Sequence, residues 1–337
     1  MNKKKLLAVL LSGAMALSLA ACGSDTSNDT TTDTSGDGAA TAGNYTVGIC
    51  QQMQHAALDE ATQGFQDKLT ELVTAAGGTV EFDPQNASGE SSNAATIING
   101  FVSSGVDLIM ANGTTSLQAA QAGTTDIPIL GTSITDYATA LQMENWTGTS
   151  GTNISGTTDL APLEDQAQML LDLFPEAENV GLLYCSAEPN SVYQVDIVRA
   201  YLEGQGITCT DYTFADSNDL ASVAQSACTT SDAIYIPTDN TAASYASTIH
   251  NVVVPAGVPV ITGDTGTCSG CGVATLGIDY YELGQITGEM AYEILVEGAD
   301  PATMEVRSAP TPTKMYNPSI CEELGITPPE DYTALES

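Results

Sequence analysis

The feature that most constrains this chain is a pattern that occurs twice. From Asn44 onward, short apolar runs alternate with stretches of helical periodicity; the series breaks at a Gly/Thr/Ser-rich segment near Thr147–Thr158 and then starts again. In the first series, Tyr45–Cys50, Val80–Phe82, Val106–Ala111 and Ile127–Leu130 read as strands, and Ala56–Ala76, Ala94–Val102 and Ser116–Gln121 as helices. In the second, Val180–Tyr184, Thr208–Thr213, Ala233–Ile236 and Val258–Thr262 read as strands, and Leu163–Leu173, Ser191–Glu203, Leu220–Cys228 and Glu282–Val296 as helices. Strand–helix alternation implies right-handed βαβ units, hence parallel sheets covered on both faces. The expected fold class is α/β, with two similar doubly wound parallel-sheet lobes joined by a hinge. Ligands of such sheets sit beyond the carboxyl ends of the strands, which here face one another across a cleft.

The residues at those strand ends are polar. The first series supplies Gln51, Gln52 and His55, then Asn112 to Ser116, then Thr132 to Asp136. The second supplies Ser186 to Ser191, then Pro237 to Thr241, then Gly263 to Thr265. Any one of them can be read as a helix N-cap, the position Ser, Thr, Asp and Asn favour most. Their return after nearly every strand points to a binding cleft. Free N–H groups and hydroxyls at helix starts suit an anion, and Glu188, Asp239 and Asp264 suit a cation.

Charge and the N-terminus narrow the setting. Of 337 residues, 42 are Asp or Glu and 7 are Lys or Arg, a formal net charge of −35. Three of those seven are Lys3, Lys4 and Lys5, so the folded part has no basic cluster with which to neutralise nucleic-acid phosphates or anionic lipid. The lysines precede an apolar stretch from Leu6 to Ala21, too short for a comfortable membrane span, which reads as a signal peptide over 1–21. It ends in Leu19-Ala20-Ala21-Cys22-Gly23, which resembles a bacterial lipobox and marks Cys22 for acylation. The Ser/Thr/Asp/Gly/Ala-only stretch from Gly23 to Gly43 is expected to be a flexible tether that makes this an extracytoplasmic protein lipid-anchored to the cell membrane. The seven other cysteines form no complete disulfide framework. Cys268 and Cys271 have C-x-x-C spacing with no second pair to complete a zinc site, so they read as a loop disulfide or two free thiols, and no metal is expected. Cys50 and Cys185 end apolar runs and read as small buried hydrophobes.

At VGICQQMQHAALDEATQGF (Val47–Phe65), DPQNASGESSNAATI (Asp83–Ile97), DLIMANGTTSLQAA (Asp107–Ala120), ENVGLLYCSAEPNS (Glu178–Ser191), DAIYIPTDNTAAS (Asp232–Ser244) and LGIDYYELGQITGEMA (Leu276–Ala291) the chain resembles the ABC-transporter substrate-binding proteins of the tryptophan/phenylalanine-binding family. The resemblance runs from about Tyr45 to Ile326 and implies a type I periplasmic-binding-protein fold. It departs at Asn112-Gly113-Thr114-Thr115, where the family usually has an apolar Ala-Thr-Pro segment, and at the Cys268–Cys271 segment. The implied division is a first lobe over 44–156 with about 276–304, and a second over 157–275 with about 305–337.

The resemblance also implies an amino-acid ligand, whose ammonium needs an acceptor and whose carboxylate needs donors. The ammonium is expected at Asp239, helped by Asp264 or Glu188. The carboxylate is expected at Thr114, Thr115 and Ser116, with Asn190 and Ser191 closing from the other lobe. His55 and Gln51 donate into the cleft, Asp159 lies at the lobe crossover, and Asn112, Ser133, Asp136 and Asn240 complete the candidate set. Tyr137, Trp146, Tyr184 and Tyr193 are candidate stacking partners, each equally a core residue. The implied partners are a small molecule, an aromatic amino acid first, and a membrane permease; no cofactor and a single copy of the chain are expected. A ligand sensor for a membrane receptor, or a binder of a nucleoside or another amino acid, fits the same pattern. An enzyme does not: the chain has only two histidines, His55 and His250, almost no lysine, no G-x-S-x-G, no H-E-x-x-H and no phosphate-cradling G-x-x-x-x-G-K-[ST].

Overall fold

The computed structural model describes residues 42–308 and 311–335. The expected signal peptide, the expected lipidation site Cys22 and nearly all of the expected tether lie outside the described residues. Among those described, no helix is long and apolar enough to cross a membrane.

Two sheets are present, as the alternation predicts. The first contains β1 (Asn44–Gln51), β2 (Thr79–Asn86), β3 (Leu108–Asn112), β4 (Ile129–Ile134), β5 (Ile154–Thr158) and a late strand, β11 (Arg307–Ser308), in the order β11-β5-β4-β3-β1-β2, with all pairings parallel. The second contains β6 (Asn179–Cys185), β7 (Thr208–Phe214), β8 (Ala233–Ile236), β9 (Val260–Thr262), β10 (Ala274–Gly277), β12 (Thr313–Tyr316) and β13 (Thr333–Ala334). Its order is β13-β12-β10-β9-β8-β6-β7, parallel except where β12 runs against β10. The central strands β3, β4, β8 and β9 are buried along their whole length, as strands covered by helices on both faces must be.

The helices of the first lobe are α1 (Ala56–Ala75), α2 (Ser91–Ser104), α3 (Thr114–Gly123) and α4 (Tyr137–Leu141). Those of the second are α5 (Leu163–Leu173), α6 (Pro189–Gly204), α7 (Ser217–Ala227), α8 (Asn240–Ser244), α9 (Ala246–Ala256) and α10 (Thr265–Cys271). The chain then returns through α11 (Tyr280–Leu295) to the first lobe and ends with α12 (Pro318–Leu324) on the second. The crossings fall after β5, between β10 and α11, and beyond β11. Arg307 and Ser308 pair with Thr157 and Thr158, so the last crossing lies later than the expected boundary near 304.

Several elements have no counterpart in the sequence reading. Strand β5 is Ile-Ser-Gly-Thr-Thr, polar enough to pass for linker, and is held in the sheet by β4. Helix α9 contains Val252-Val253-Val254-Pro255, a composition that favours a strand, yet Ile249 and Val253 put one face in the core. Cys268 and Cys271 are in helix α10 and not in a loop; both are free and buried. Cys50 and Cys185 are buried as expected, at 0% and 1% exposure.

Helix α11 is fastened to the first lobe by close approach. At Gly64 of α1 a Cβ would run into the carbonyl oxygen of Tyr281, and at Gly284 of α11 into that of Ala61. Glycine in a helix interior costs about 0.5–1 kcal/mol relative to alanine, and here it allows the two backbones to touch. Beneath them, the hydroxyls of Thr132, Thr157 and Thr287 hydrogen-bond one another at 2.9–3.1 Å, tying β4 and β5 to α11. Gly284→Ala is expected to cost about 2 kcal/mol or more, because the clash is with backbone that cannot step aside. The check is urea unfolding; a midpoint equal to the parent's contradicts this packing.

Candidate functional site

The strand ends of the two sheets meet at a cavity lined from the first lobe by His55, Leu58, Ser133 and Thr135, and from the second by Asn190, Thr238, Asp239, Asn240, Ala243 and Asp264, with Asp159 and Tyr280 at the crossings. It is a narrow space of about 280 Å³. The lobes are thus drawn together, and a ligand of amino-acid size enters only as they part. Two hydrogen bonds span the gap: His55 Nε2 to Asn240 Oδ1 at 3.2 Å, and Ser244 Oγ to the Gln54 carbonyl at 3.0 Å. Larger hollows exist, including about 970 Å³ between α9, α10 and α12, but none of their lining residues has an unpartnered buried polar side-chain atom among the described residues.

Local structure aims each group. Strand β4 shifts register between Gly131 and Ile134, and Ser133 takes φ of 55°, a left-handed conformation that costs a non-glycine residue of order 1 kcal/mol. Asp239 caps α8 through Ala242 N at 2.8 Å and accepts from Cys185 N at 2.7 Å and Ser191 Oγ at 2.8 Å. Glu188, just behind, accepts from Thr241 N and Oγ1 on one oxygen and from Asn240 N and Nδ2 on the other. Asp264 caps α10 through Thr267 N and Oγ1, both at 2.7 Å. Asp159 differs: Oδ2 accepts from Tyr280 OH at 3.0 Å, while Oδ1 is buried without a partner.

Asp239 and Glu188 have their oxygens engaged by protein donors, whereas Asp159, read from sequence as a crossover residue, presents a free oxygen to the cavity. The N-terminus of α3 is not open to a ligand carboxylate either, because Gln52 Oε1 accepts from Thr115 N at 2.9 Å. Thr114, Thr115 and Ser116 therefore lie off the cavity, with Ser116 accepting from Cys50 Sγ. Asn112 donates to the Leu58 carbonyl and Thr62 Oγ1, Gln51 to the Met53 carbonyl and Asp59, and Asp136 caps α4. None of these lines the cavity. The structure brings together His55, Ser133, Asp159, Asn190, Asp239, Asn240 and Asp264, with Glu188 and Ser191 supporting from behind.

The four expected stacking partners are elsewhere. Tyr137 stacks on Trp146 at 5.7 Å and donates to the Gly131 carbonyl, and Tyr184 and Tyr193 pack in the second lobe's core. The aromatic ring at the cavity is that of Tyr280, which the sequence reading missed. It lies 121 residues from Asp159, and only the second crossing brings the two together.

Among the described residues, five buried side-chain polar atoms have no partner: His55 Nδ1, Asn112 Oδ1, Ser133 Oγ, Asp159 Oδ1 and Asn190 Oδ1. Four belong to residues lining this one cavity. An unsatisfied buried polar group costs about 1–3 kcal/mol, so such a concentration is expected where a polar ligand supplies the partners. Among the described residues no group of three or more His, Cys, Asp or Glu is arranged to hold a metal ion. Burial pushes the Asp159 carboxyl up to about 6, against the pull of the Tyr280 and Thr135 hydroxyls. Burial, then the neighbouring Glu188, also raises Asp239, and burial raises Asp264.

The family model for ABC transporter substrate binding proteins matches residues 46–335. The chain belongs to this family. It is a solute-binding family and not an enzyme family. A curated relative, the tyrosine-binding protein of Clostridioides difficile (strain R20291), is 31% identical over 300 residues, covering 87% of this chain and 85% of that one. Among solved structures, an ABC domain from Streptococcus pneumoniae in complex with L-Trp is 32% identical with a TM-score of 0.80, over 86% of this chain and 99% of that one. A ligand-free, open substrate-binding protein with adhesive properties from Clostridium difficile is 31% identical, over 87% and 99%, but has a TM-score of 0.65. At nearly equal identity this chain superposes better on the ligand-bound member than on the open one, in keeping with its two inter-lobe hydrogen bonds. A rhamnose-bound solute-binding protein from Clostridium phytofermentas, 13% identical with a TM-score of 0.56 over 84% of this chain and 99% of that one, shares the fold alone, the type I periplasmic-binding-protein arrangement.

The raised Asp159 has a consequence in solution. Its folded-state value near 6 exceeds the usual 3.8, so between those values the folded protein holds a proton that the unfolded chain releases. Stability of the ligand-free protein therefore rises as pH falls from 7.5 towards 5, by at most about 1.4 kcal/mol per pH unit for this proton. Calorimetric Tm values across that range are expected to climb on acidification, and less steeply in Asp159→Asn. Parallel profiles for parent and variant contradict the assignment.

Proposed function

We propose that the protein is an extracytoplasmic, lipid-anchored binding protein that captures an aromatic amino acid and delivers it to the permease of an ABC importer. The observation that carries this reading is the set of unpartnered polar atoms in an acid-lined cavity between two lobes. Asp159 Oδ1 and Asn190 Oδ1 accept from an ammonium, and the Ser133 hydroxyl donates to a carboxylate. Leu58, Ala243 and the ring of Tyr280 supply an apolar wall. Relatives at about 31% identity that carry tyrosine or tryptophan in their names support the choice of ligand.

The mechanism follows from where Asp159 lies. A ligand ammonium there neutralises a buried charge at the hinge, and its remaining contacts reach residues of both lobes. Binding therefore favours the closed state by its differential affinity. The loaded, closed form docks on the permease, and ATP is consumed by another subunit. The Cys22 lipid and the tether over 22–43 hold the protein at the membrane while leaving it free to turn.

Thermal-shift screening of the purified protein against amino acids, nucleosides and sugars tests this reading. Tryptophan, tyrosine or phenylalanine at a hundredfold over Kd is expected to add about 2.7 kcal/mol, a shift of roughly 5 °C. A shift from a nucleoside or sugar, with silence from every amino acid, overturns the proposed ligand.

A further inference from the structure

The half of a zwitterion that the cavity reads is set by the direction of its unpartnered atoms. Two amides are fixed by their own partners. Asn190 Nδ2 donates to the Thr238 carbonyl at 3.0 Å, which leaves Oδ1 as the unpartnered atom. Asn240 Nδ2 donates to Glu188 Oε2 at 2.7 Å, so its Oδ1 is the atom that meets His55 Nε2. An acceptor at that position requires the hydrogen on Nε2, and Nδ1 is the ring's buried and unpartnered atom. The buried unpartnered atoms of the cavity are Asn190 Oδ1, His55 Nδ1, Asp159 Oδ1 and one hydroxyl, Ser133 Oγ, and the hydroxyl residues Thr135 and Thr238 also line it. Two further carboxylates, Asp239 and Asp264, line it, and neither lysine nor arginine does.

We infer that the cavity selects its ligand by a protonated amine and makes little use of the carboxylate, so that arylalkylamines lacking the carboxylate are ligands alongside the aromatic amino acids. The inference rests on the aromatic amino-acid reading and narrows it. Removing the ligand's amine leaves the Asp159 carboxylate uncompensated in a closed, water-poor space, with Asn190 Oδ1 unpaired as well. Removing the ligand's carboxylate leaves hydroxyls, which rotate to other partners, and takes an anion out of an acid-lined space that has neither lysine nor arginine.

Calorimetric titration of the purified protein with L-tryptophan, tryptamine and indole-3-propionate, and with L-tyrosine, tyramine and 3-(4-hydroxyphenyl)propionate, separates the two halves. In whichever series binds, the amine is expected to stay within about tenfold of the parent amino acid, and the deaminated acid to weaken by about a thousandfold or more. An amine weaker than its parent by more than about a hundredfold, or an acid binding as well as the amine, overturns the inference and leaves the aromatic amino-acid reading standing. Binding by no member of either series overturns both.

Discussion

The hydrogen bond from Tyr280 to Asp159 joins the first crossing between the lobes to the second, and it fixes a buried carboxylate at the hinge with one oxygen tied and the other free. The rest of the site is arranged around that asymmetry. Asp239, Glu188 and Asp264 are buried too, but each spends its oxygens on helix N-termini and hydroxyls, so they shape the second lobe's wall without presenting an empty valence. One carboxylate oxygen is left for a ligand.

The acid excess has a parallel in the fold's construction. A chain this short of lysine and arginine cannot pair its buried acids with protein cations, so it satisfies them with backbone N–H groups at the starts of short helices. Helices α8 and α10, of five and seven residues, owe their place to Asp239 and Asp264 as much as to core packing. The framework is thereby made rigid behind the cavity. The two inter-lobe hydrogen bonds, His55 to Asn240 and Ser244 to Gln54, are few enough to break when the lobes part.

Much of this was legible in the sequence, for a physical reason. Buried parallel strands such as Leu108–Asn112 and Ala233–Ile236 are continuous apolar runs, and polar residues recur where those runs stop, so both the two lobes and the location of the cleft follow from pattern. Roles within the cleft do not. Asp159 and Asp239 look alike in sequence, and what separates them is that backbone N–H groups of Cys185 and Ala242 and the Ser191 hydroxyl engage both oxygens of one, while Tyr280 ties one oxygen of the other. The helix start at Thr114–Ser116 looks open until Gln52, from the end of another strand, is seen to fill it. Strand β5 and helix α9 escaped because their local composition argues for the wrong state and only their tertiary neighbours decide.

The account turns on where a ligand's positive charge comes to rest, and a crystal structure of the protein with L-tryptophan or L-tyrosine locates it directly. The account predicts the amine nitrogen within hydrogen-bonding distance of Asp159 Oδ1, with the Tyr280–Asp159 hydrogen bond intact and the lobes closed over the ligand. An amine seated away from Asp159, with the ligand's carboxylate at the Thr114–Ser116 helix start and Gln52 displaced, contradicts it.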